Sequence, residues 1–573
     1  MIKPKKNILD DNKSHSCCVC AARRVETIRT RLIRVSIVCV LLCSSIPVNA
    51  ADLTININAN SFIRTIPETL YGTSMTAWWG FENGYNTTYN NLMLASGQTY
   101  IRWPGGSWGD CHLWSDMEGP GGAYTWKINY NEALYMFSLL DATMQPIVNF
   151  PGYWYETLYG HEAAVTAAVA WVTDQSGRTL TAQYWEIGNE TFGSWEAGWF
   201  DGINGTYYGD YFADFYTAMK AVNPEIKIGA VAIPYDSYEP WFYDGLWTRD
   251  LLSAAYTNGV VPDFLIIHSY PGTNKGASYN PTLLSNDIDE IEEMTSNLND
   301  MISDTIGPEY VGQIEYCMTE WNAGGTDTYE RYRLYSGALF LTQYLMEMAK
   351  YGWTVSNSFD KFFYQSWMGE PYPDFYPFPN WYAYPFFINR FGRDMVEASS
   401  SNPTVRAYAS MDDESNLTIF IVNNSAYTNL TAQVNISGLN VCSDGQSWII
   451  DPAGTVPGGG TVQDVEDLQI NGIFHPDPLT LNSLSPAAFI ASNTFDIPLP
   501  KSCMIFLKMP TASIEHYGDF TGDNVVDIND MSQFSEIWLD NDCNCPGPDM
   551  NGDCIINSYE YSLMARNWLE EIQ

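Results

Sequence analysis

Between residues 69 and 367 the chain alternates short apolar runs with segments of helix length, and this alternation limits the available folds more than any other feature. The runs with strand character fall at 69–75, 99–103, 146–150, 183–188, 226–233, 263–269, 314–319 and 361–367. Helical patterning occupies the gaps, for example at 131–140, 161–174, 207–222, 287–302 and 331–351. Strand and helix in alternation imply a parallel sheet, because each helix carries the chain back to start the next strand in the same direction. Eight such repeats predict closure into a (β/α)8 barrel, here over residues 51–395.

A barrel of this kind places its chemistry at the C-terminal ends of its strands. Strand four would end in Tyr184-Trp185-Glu186-Ile187-Gly188-Asn189-Glu190, and strand seven in Cys317-Met318-Thr319-Glu320-Trp321-Asn322. One Asn-Glu pair alone also fits a solvated cap. Two glutamates on strands that face each other across a barrel are a more specific signal. Retaining hydrolysis of a glycosidic bond uses such a pair, with carboxyl groups about 5–5.5 Å apart, one attacking and the other exchanging protons. Glu190 and Glu320 are therefore the candidate catalytic residues, and Glu190 is expected to have a raised pKa in the empty site beside an anionic Glu320.

Other strand ends add candidate substrate-binding groups. Arg102 ends strand two as a fixed cation that would keep the nucleophile ionised and oriented. Asn149 ends strand three, Asn189 precedes the strand-four carboxylate, and His268 and Tyr270 end strand six as hydrogen-bonding groups. Trp367 would end strand eight with an aromatic face for a sugar ring. Each of these alone reads equally well as an ion pair, a satisfied core histidine or simple packing; together with Glu190 and Glu320 they occupy six strand ends.

Beyond about residue 400 the helical pattern stops. Alternating runs at 405–410, 417–422, 431–436, 447–450 and 504–508, separated by Gly- and Asn-rich turns, predict an antiparallel β-sandwich over 396–510, with 53–63 as a candidate extra strand. Residues 511–517 read as a linker. The remainder, 518–573, is an internal repeat that superposes on itself with a shift of 30 residues. One unit sets Asp519, Thr521, Asp523, Asp527 and Asp530 at positions 1, 3, 5, 9 and 12, with the Val525 carbonyl at position 7. The other sets Asp549, Asn551, Asp553, Asn557 and Glu560 there, with the Ile555 carbonyl. Oxygen ligands at this spacing are those of a calcium loop, so Ca2+ is the expected structural cofactor, and no cofactor is expected for catalysis.

Charge and cysteine usage bound the setting. The formal charge is −40 and the pI about 4.2, which argues against nucleic acid and anionic membranes as partners and for a neutral substrate. Trp 20 and Tyr 38 are more aromatic residues than a core needs, and exposed rings suit carbohydrate. The first 50 residues are basic where the rest is acidic. They carry Arg23, Arg24, Arg29, Arg31 and Arg34 before an apolar run at 35–42 and the small-residue pattern Val48-Asn49-Ala50. This is the form of a secretory signal, and the apolar run is too short to span a bilayer, so a secreted protein is expected. Five of the 12 cysteines lie in that leader. Cys442 with Cys503, and two of Cys543, Cys545 and Cys554, are the candidate bridges, and Cys317 is expected to be a buried thiol. With only 6 His in the chain, none spaced as helix ligands, a metalloenzyme has little support.

The motifs Leu70-Tyr71-Gly72, Arg102-Trp103-Pro104-Gly105-Gly106, Gly188-Asn189-Glu190, His268-Ser269-Tyr270 and Glu320-Trp321-Asn322 together resemble the clan A glycoside hydrolases, and most nearly glycoside hydrolase family 51, the α-L-arabinofuranosidases. The resemblance covers roughly residues 52–510. It implies Glu190 as acid/base, Glu320 as nucleophile and Asn189 as a partner of a sugar hydroxyl. Trp103 stands where Tyr is commoner, and related β-xylosidases, β-glucuronidases and endo-glycanases share the pattern; the alternative from another class is a non-catalytic carbohydrate-binding protein on a degenerate barrel, whose mouth would hold aromatics without paired carboxylates. The duplicated calcium loop resembles a dockerin, which implies a cohesin-bearing partner; Asn524 and Cys554 replace the glycine usual at position 6, and Asn tolerates the left-handed backbone there better than Cys.

Overall fold

The computed structural model describes residues 51–77, 87–116, 128–154, 157–178, 182–199, 203–236, 246–271, 281–323, 334–359, 368–369, 376–456 and 460–512, and beyond these 520, 526–538, 556, 558, 561, 564 and 565. Eight parallel strands close into a barrel: Gly72–Ser74, Tyr100–Trp103, Thr143–Val148, Tyr184–Ile187, Lys227–Val231, Phe264–Ser269, Glu315–Trp321 and Val355–Ser358. Each pairs with its neighbours in sequence and the eighth closes on the first, through Asn357 opposite Gly72. Helices Tyr130–Leu140, His161–Ser176, Gly205–Val222, Trp247–Thr257, Pro281–Thr305 and Tyr335–Lys350 form the outer layer.

The eighth strand corrects the sequence reading, which put it at 361–367; those residues, with Trp367, lie outside the described ones. The segment that closes the barrel, Val-Ser-Asn-Ser, is mostly polar and carries no apolar signature. Its polar side chains are buried because the barrel interior supplies partners: Trp321 Nε1 donates to Ser356 Oγ (3.0 Å) and Asn357 Nδ2 to Gln145 Oε1 (2.6 Å).

The second layer is one hydrogen-bonded sheet of eleven strands, mostly antiparallel. The first strand, Leu53–Thr65, runs antiparallel to Asp394–Ser400 and parallel to Leu430–Ser437, so the sheet is mixed rather than wholly antiparallel. All seven residues of Leu417–Asn423 are buried, which requires cover on both faces. Strand periodicity explains how. Phe420 and Val422, with Met504 and Phe506 of the neighbouring strand Met504–Met509, join the core shared with the barrel. Ile419 and Ile421, with Ile505 and Leu507, enter a separate core with Ile55, Ile57, Val434 and Leu499 from the far end of the sheet, as in a sandwich. The barrel contributes helix Tyr335–Lys350 to the seam: apart from Lys350 every residue of it is buried. Its Tyr335 hydroxyl donates to the Ile450 carbonyl (2.7 Å), and Gln343 and Asn424 exchange two amide hydrogen bonds (2.9 and 2.7 Å).

Thr511–Ala512, at the start of the expected linker, pairs with Asn440–Val441. Of the C-terminal repeat, helix Ile528–Ile537 is described, and Val526, Phe534, Ile556 and Met564 form a small core that includes Cys442. Cys442 is in a disulfide whereas Cys503 is a free buried thiol, so the expected Cys442–Cys503 bridge is not formed. The two half-cystine candidates sit in different cores, one under the sheet and one against the C-terminal helix. Cys317 is a free buried thiol. No helix among the described residues is long and apolar enough to cross a membrane.

Candidate active site

The fourth barrel strand shows why the chain delivers its carboxylates where it does. Outward-facing Trp185 meets Trp171 edge-on at 5.4 Å, while Tyr184 and Glu186 alternate toward the barrel interior. Gly188 follows at φ 83°. A Cβ there would stand 2.6 Å from Thr191 Cγ2, so only glycine fits both the backbone and the space. The turn carries Asn189 and Glu190 over the mouth, where Asn189 N–H donates to Asp110 Oδ2 (3.1 Å).

The seventh strand uses a different device. Met318 lies opposite Ile267 of strand six, but Glu320, not Thr319, lies opposite His268, which leaves Thr319 as an extra residue in a bulge. Two consecutive side chains therefore both reach the site. Thr319 Oγ1 meets His268 Nε2 at 3.1 Å and Glu186 Oε2 at 3.2 Å. Glu320 accepts from Arg102 Nη1 (2.6 Å) and from the Tyr270 hydroxyl (2.8 Å).

Arg102 is fully buried and organises the floor. Its Nε and Nη2 fork onto Glu186 at 2.8–3.0 Å, Nη1 holds Glu320, and Nη2 also donates to Asn189 Oδ1 (2.8 Å). Gln145 Nε2 completes Glu186 at 2.7 Å. Burial works against the guanidinium charge, but Glu186 and Glu320 outweigh it and raise the Arg102 pKa.

Across the mouth, His268 Nδ1 lies 2.9 Å from Glu190 Oε1 and 3.7 Å from Glu320 Oε2. One oxygen of Glu190, one of Glu320 and a His268 ring nitrogen all lie within 4.8 Å of one another. The other Glu190 oxygen accepts from Trp195 Nε1 at 2.6 Å. Burial would raise the Glu190 pKa, but the hydrogen bonds from His268 and Trp195, with Arg102 nearby, win and lower it. The expected rise is thus reversed: burial is more than offset by His268 and Trp195, which favour the charged carboxylate. Burial and the Glu320 charge push the Tyr270 hydroxyl well up. Among the described residues, Glu190, His268 and Glu320 are the one trio of side chains placed to share a cation, and Arg102 and Tyr270 already donate to Glu320.

Arg102, Asn189, Glu190, His268, Tyr270 and Glu320 thus converge. Asn149 is set back, its Nδ2 donating to the Asp110 carbonyl at 3.2 Å, and Trp367 lies outside the described residues. Sequence reasoning missed Glu186, Thr319, Trp195 and a second acidic pair. Glu196 Oε1 accepts from Asn189 Nδ2 (3.0 Å) and Ser107 Oγ (2.8 Å). Burial pushes Glu196 up to about 8 and Asp110 up to about 7, the neighbouring carboxylates adding to both. A signal existed for Glu186, a lone charge inside an apolar strand; Glu196 reads in sequence as an ordinary loop acid.

No family model matches the sequence, and no curated protein does. Solved structures do match. An α-L-arabinofuranosidase from Thermotoga maritima, in an arabinose complex, superposes with a TM-score of 0.62 at 16% identity, covering 80% of this chain and 100% of its own. The thermostable family 51 α-L-arabinofuranosidase from Thermotoga petrophila gives 0.63 at the same identity and coverage. A Paenibacillus polymyxa xyloglucanase from glycoside hydrolase family 44 gives 0.58 at 13% identity, covering 80% and 99%. At these identities the likeness carries architecture alone: the chain has the barrel-and-sheet fold found in these glycoside hydrolases.

Proposed function

We propose that this protein is a retaining glycoside hydrolase that acts by double displacement on polysaccharide or oligosaccharide, releasing α-L-arabinofuranosyl groups. The observation that carries the reading is the pair Glu190 and Glu320, with carboxyl oxygens within 4.8 Å across the barrel mouth. So close an approach supports the shorter carboxyl spacing of retaining enzymes, about 5–5.5 Å, over the about 6.5–9.5 Å of inverting ones. Glu320, fixed by Arg102 and Tyr270 and facing the subsite, serves as nucleophile; Glu190 on the opposite wall protonates the leaving oxygen and then deprotonates water. Asn189, pinned by Arg102 and Glu196, presents its amide to a sugar hydroxyl.

The test is hydrolysis of aryl α-L-arabinofuranosides with the product anomer followed by proton NMR. First-formed product of retained configuration supports the mechanism, and inversion sinks it. The likeness to the family 44 xyloglucanase favours a second reading, an endo-glycanase on the same machinery. Shortening of xyloglucan with no turnover of aryl arabinofuranosides would select it.

The two flanking segments belong to the same reading. The leader supports export. The spacing of oxygen ligands at 519–530 and 549–560 supports calcium and, by its likeness to dockerins, a cohesin-bearing partner. Asp527 and Asp530 fit that use: Asp527 caps helix Ile528–Ile537 directly behind the loop, Asp530 accepts from Asp527 N–H (2.7 Å), and the preceding Val526 is packed in the core. The remaining candidate ligands lie outside the described residues.

A further inference from the structure

The hydrogen bonds around Thr319 decide where the protons of the site reside. Glu186 accepts from Arg102 Nε and Nη2, which can only donate, and from Gln145 Nε2. The Gln145 amide is itself oriented by Asn357 Nδ2, which donates to its Oε1 at 2.6 Å. Every one of these partners is a donor, so both Glu186 oxygens act as acceptors. Thr319 has one hydroxyl proton and two neighbours, Glu186 Oε2 and His268 Nε2. Since Glu186 can only accept, the hydroxyl proton goes to it, and Nε2 must then be the donor to Thr319 Oγ1. With Nε2 protonated, a neutral ring has a bare Nδ1, and Nδ1 lies 2.9 Å from Glu190 Oε1. Two acceptors do not share that distance without a proton between them.

We propose that His268 and Glu190 hold one shared proton in the resting enzyme, stationed there by the chain Glu186–Thr319–His268, and that this is the proton delivered to the leaving group. Thr319 is the positioning residue that sets the histidine's tautomer. The step balances: as the glycosidic C–O bond breaks, the proton passes from Nδ1 through the Glu190 carboxyl to the leaving oxygen. His268 is then neutral, with Nε2–H still on Thr319, and Glu190 is the carboxylate base that accepts a proton from water in the second displacement. The lowered Glu190 pKa agrees with a resting proton nearer the ring than the carboxyl. The charged and titratable groups that face this pair are Glu320 from strand seven, Tyr270 beside it, Glu186 through Thr319, Arg102 paired with Glu186 and Glu320, and Asp110 and Glu196 behind Glu190.

The delivery step rests on the glycosidase reading; the proton placement does not, and the experiment separates them. The full chain is labelled with ¹⁵N-histidine, and His268 is assigned by the signal lost in His268→Asn. Wild type is expected to show Nε2 protonated and Nδ1 shifted toward the protonated form at neutral pH, and Thr319→Val a neutral ring in a mixture of tautomers, with Thr319→Ser restoring the wild-type pattern. A wild-type His268 with bare Nε2 and protonated Nδ1 overturns the proposal, whatever Thr319→Val does. In kinetics, Thr319→Val should lower the basic limb of kcat/KM by about one pH unit. It should slow substrates with poor leaving groups at least tenfold more than activated aryl glycosides, and Thr319→Ser should recover both. An unshifted profile overturns the delivery step. Absence of any glycosidase turnover in wild type refutes the function, and the ring nitrogens then decide the proton placement alone.

Discussion

At the residue scale, the two candidate catalytic glutamates differ in what surrounds them, and substitutions should separate their roles. Glu320 receives a guanidinium and a phenol hydroxyl, whereas Glu190 receives an indole N–H and an imidazole. Glu320→Ala should leave no measurable turnover with the fold intact by circular dichroism. Glu190→Ala should lose about 10²–10⁴ in kcat/KM on natural glycosides but far less on aryl glycosides whose leaving group needs little protonation. Equal losses on both substrate classes would remove Glu190 from the acid role. Glu196 makes a different prediction. Its carboxyl is pushed up to about 8 in the folded chain from an ordinary value of 4.5, so the folded state keeps a proton where the unfolded chain has lost it. That contribution is full below about pH 4.5 and is lost as pH rises through about 8. Relative to Glu196→Gln, which titrates in neither state, wild type should lose on the order of 2–4 kcal/mol between pH 5 and 8, read by urea unfolding at both pH values. A constant difference would mean that the carboxyl is ionised throughout. These residues also show what sequence makes legible. Glu190, Glu320, Arg102, His268 and Tyr270 stand out because strand ends are countable. Glu196 and Asp110 do not, because their importance comes from burial beside one another and from Asn189, contacts no spacing encodes.

At the element scale, the strands that could be counted were those whose side chains face apolar helices. The eighth barrel strand escaped because Ser356, Asn357 and Ser358 are polar and hydrogen-bond to distant Trp321, Gln145 and Thr73 rather than packing as apolar residues. The bulge at Thr319 was hidden for a related reason: register is a property of two strands, and one strand's sequence holds half of it. Helix Tyr335–Lys350 presents the converse case, a segment buried on all sides because the barrel covers one face and the sheet the other. Two of the polar groups at that seam pair with each other. Gln343 and Asn424 exchange both amide bonds with each other while fully buried. Truncating Gln343 takes this partner from both ends of the Asn424 amide, and truncating Asn424 leaves Gln343 Oε1 without it while Nε2 keeps the Leu339 carbonyl (2.6 Å), so Gln343→Leu and Asn424→Leu should each cost about 1–3 kcal/mol, and the double substitution clearly less than their sum. Denaturant melts of the four proteins in the cycle would check this, and strict additivity would show that the pair is not coupled.

At the scale of the whole molecule, the sheet is not an appendage that the barrel can shed. Leu53–Thr65 precedes the barrel in sequence yet pairs with Asp394–Ser400 and Leu430–Ser437, which follow it, so the chain enters the sheet, builds the barrel and returns. Ile55 and Ile57 fill the inner core of the sheet, while Phe420, Phe506, Trp448 and Met504 of the same sheet lie in the core that continues into the barrel. Unfolding the sheet would expose the buried face of Tyr335–Lys350 and the rings of Phe386 and Phe387, which lie 5.0–5.1 Å from Phe420 and Phe506. With about 25 cal/mol for each Å² of apolar surface uncovered, no stable state retains one layer without the other. The barrel and sheet should therefore melt in a single calorimetric transition, with calorimetric and van't Hoff enthalpies in agreement. The small core around Phe534 touches the rest of the described chain through Cys442, so it should add a separate, weaker transition; on the proposed calcium reading, a chelator should move that transition while the main one stays put. A chain shortened to begin at residue 66 tests the interlock directly. It keeps every barrel strand and every candidate catalytic residue, yet Asp394–Ser400 and Leu430–Ser437 each lose a strand between them. It should be recovered insoluble or lose Tm by well over ten degrees; a soluble, active product with an unshifted main transition would show that the barrel stands without its sheet.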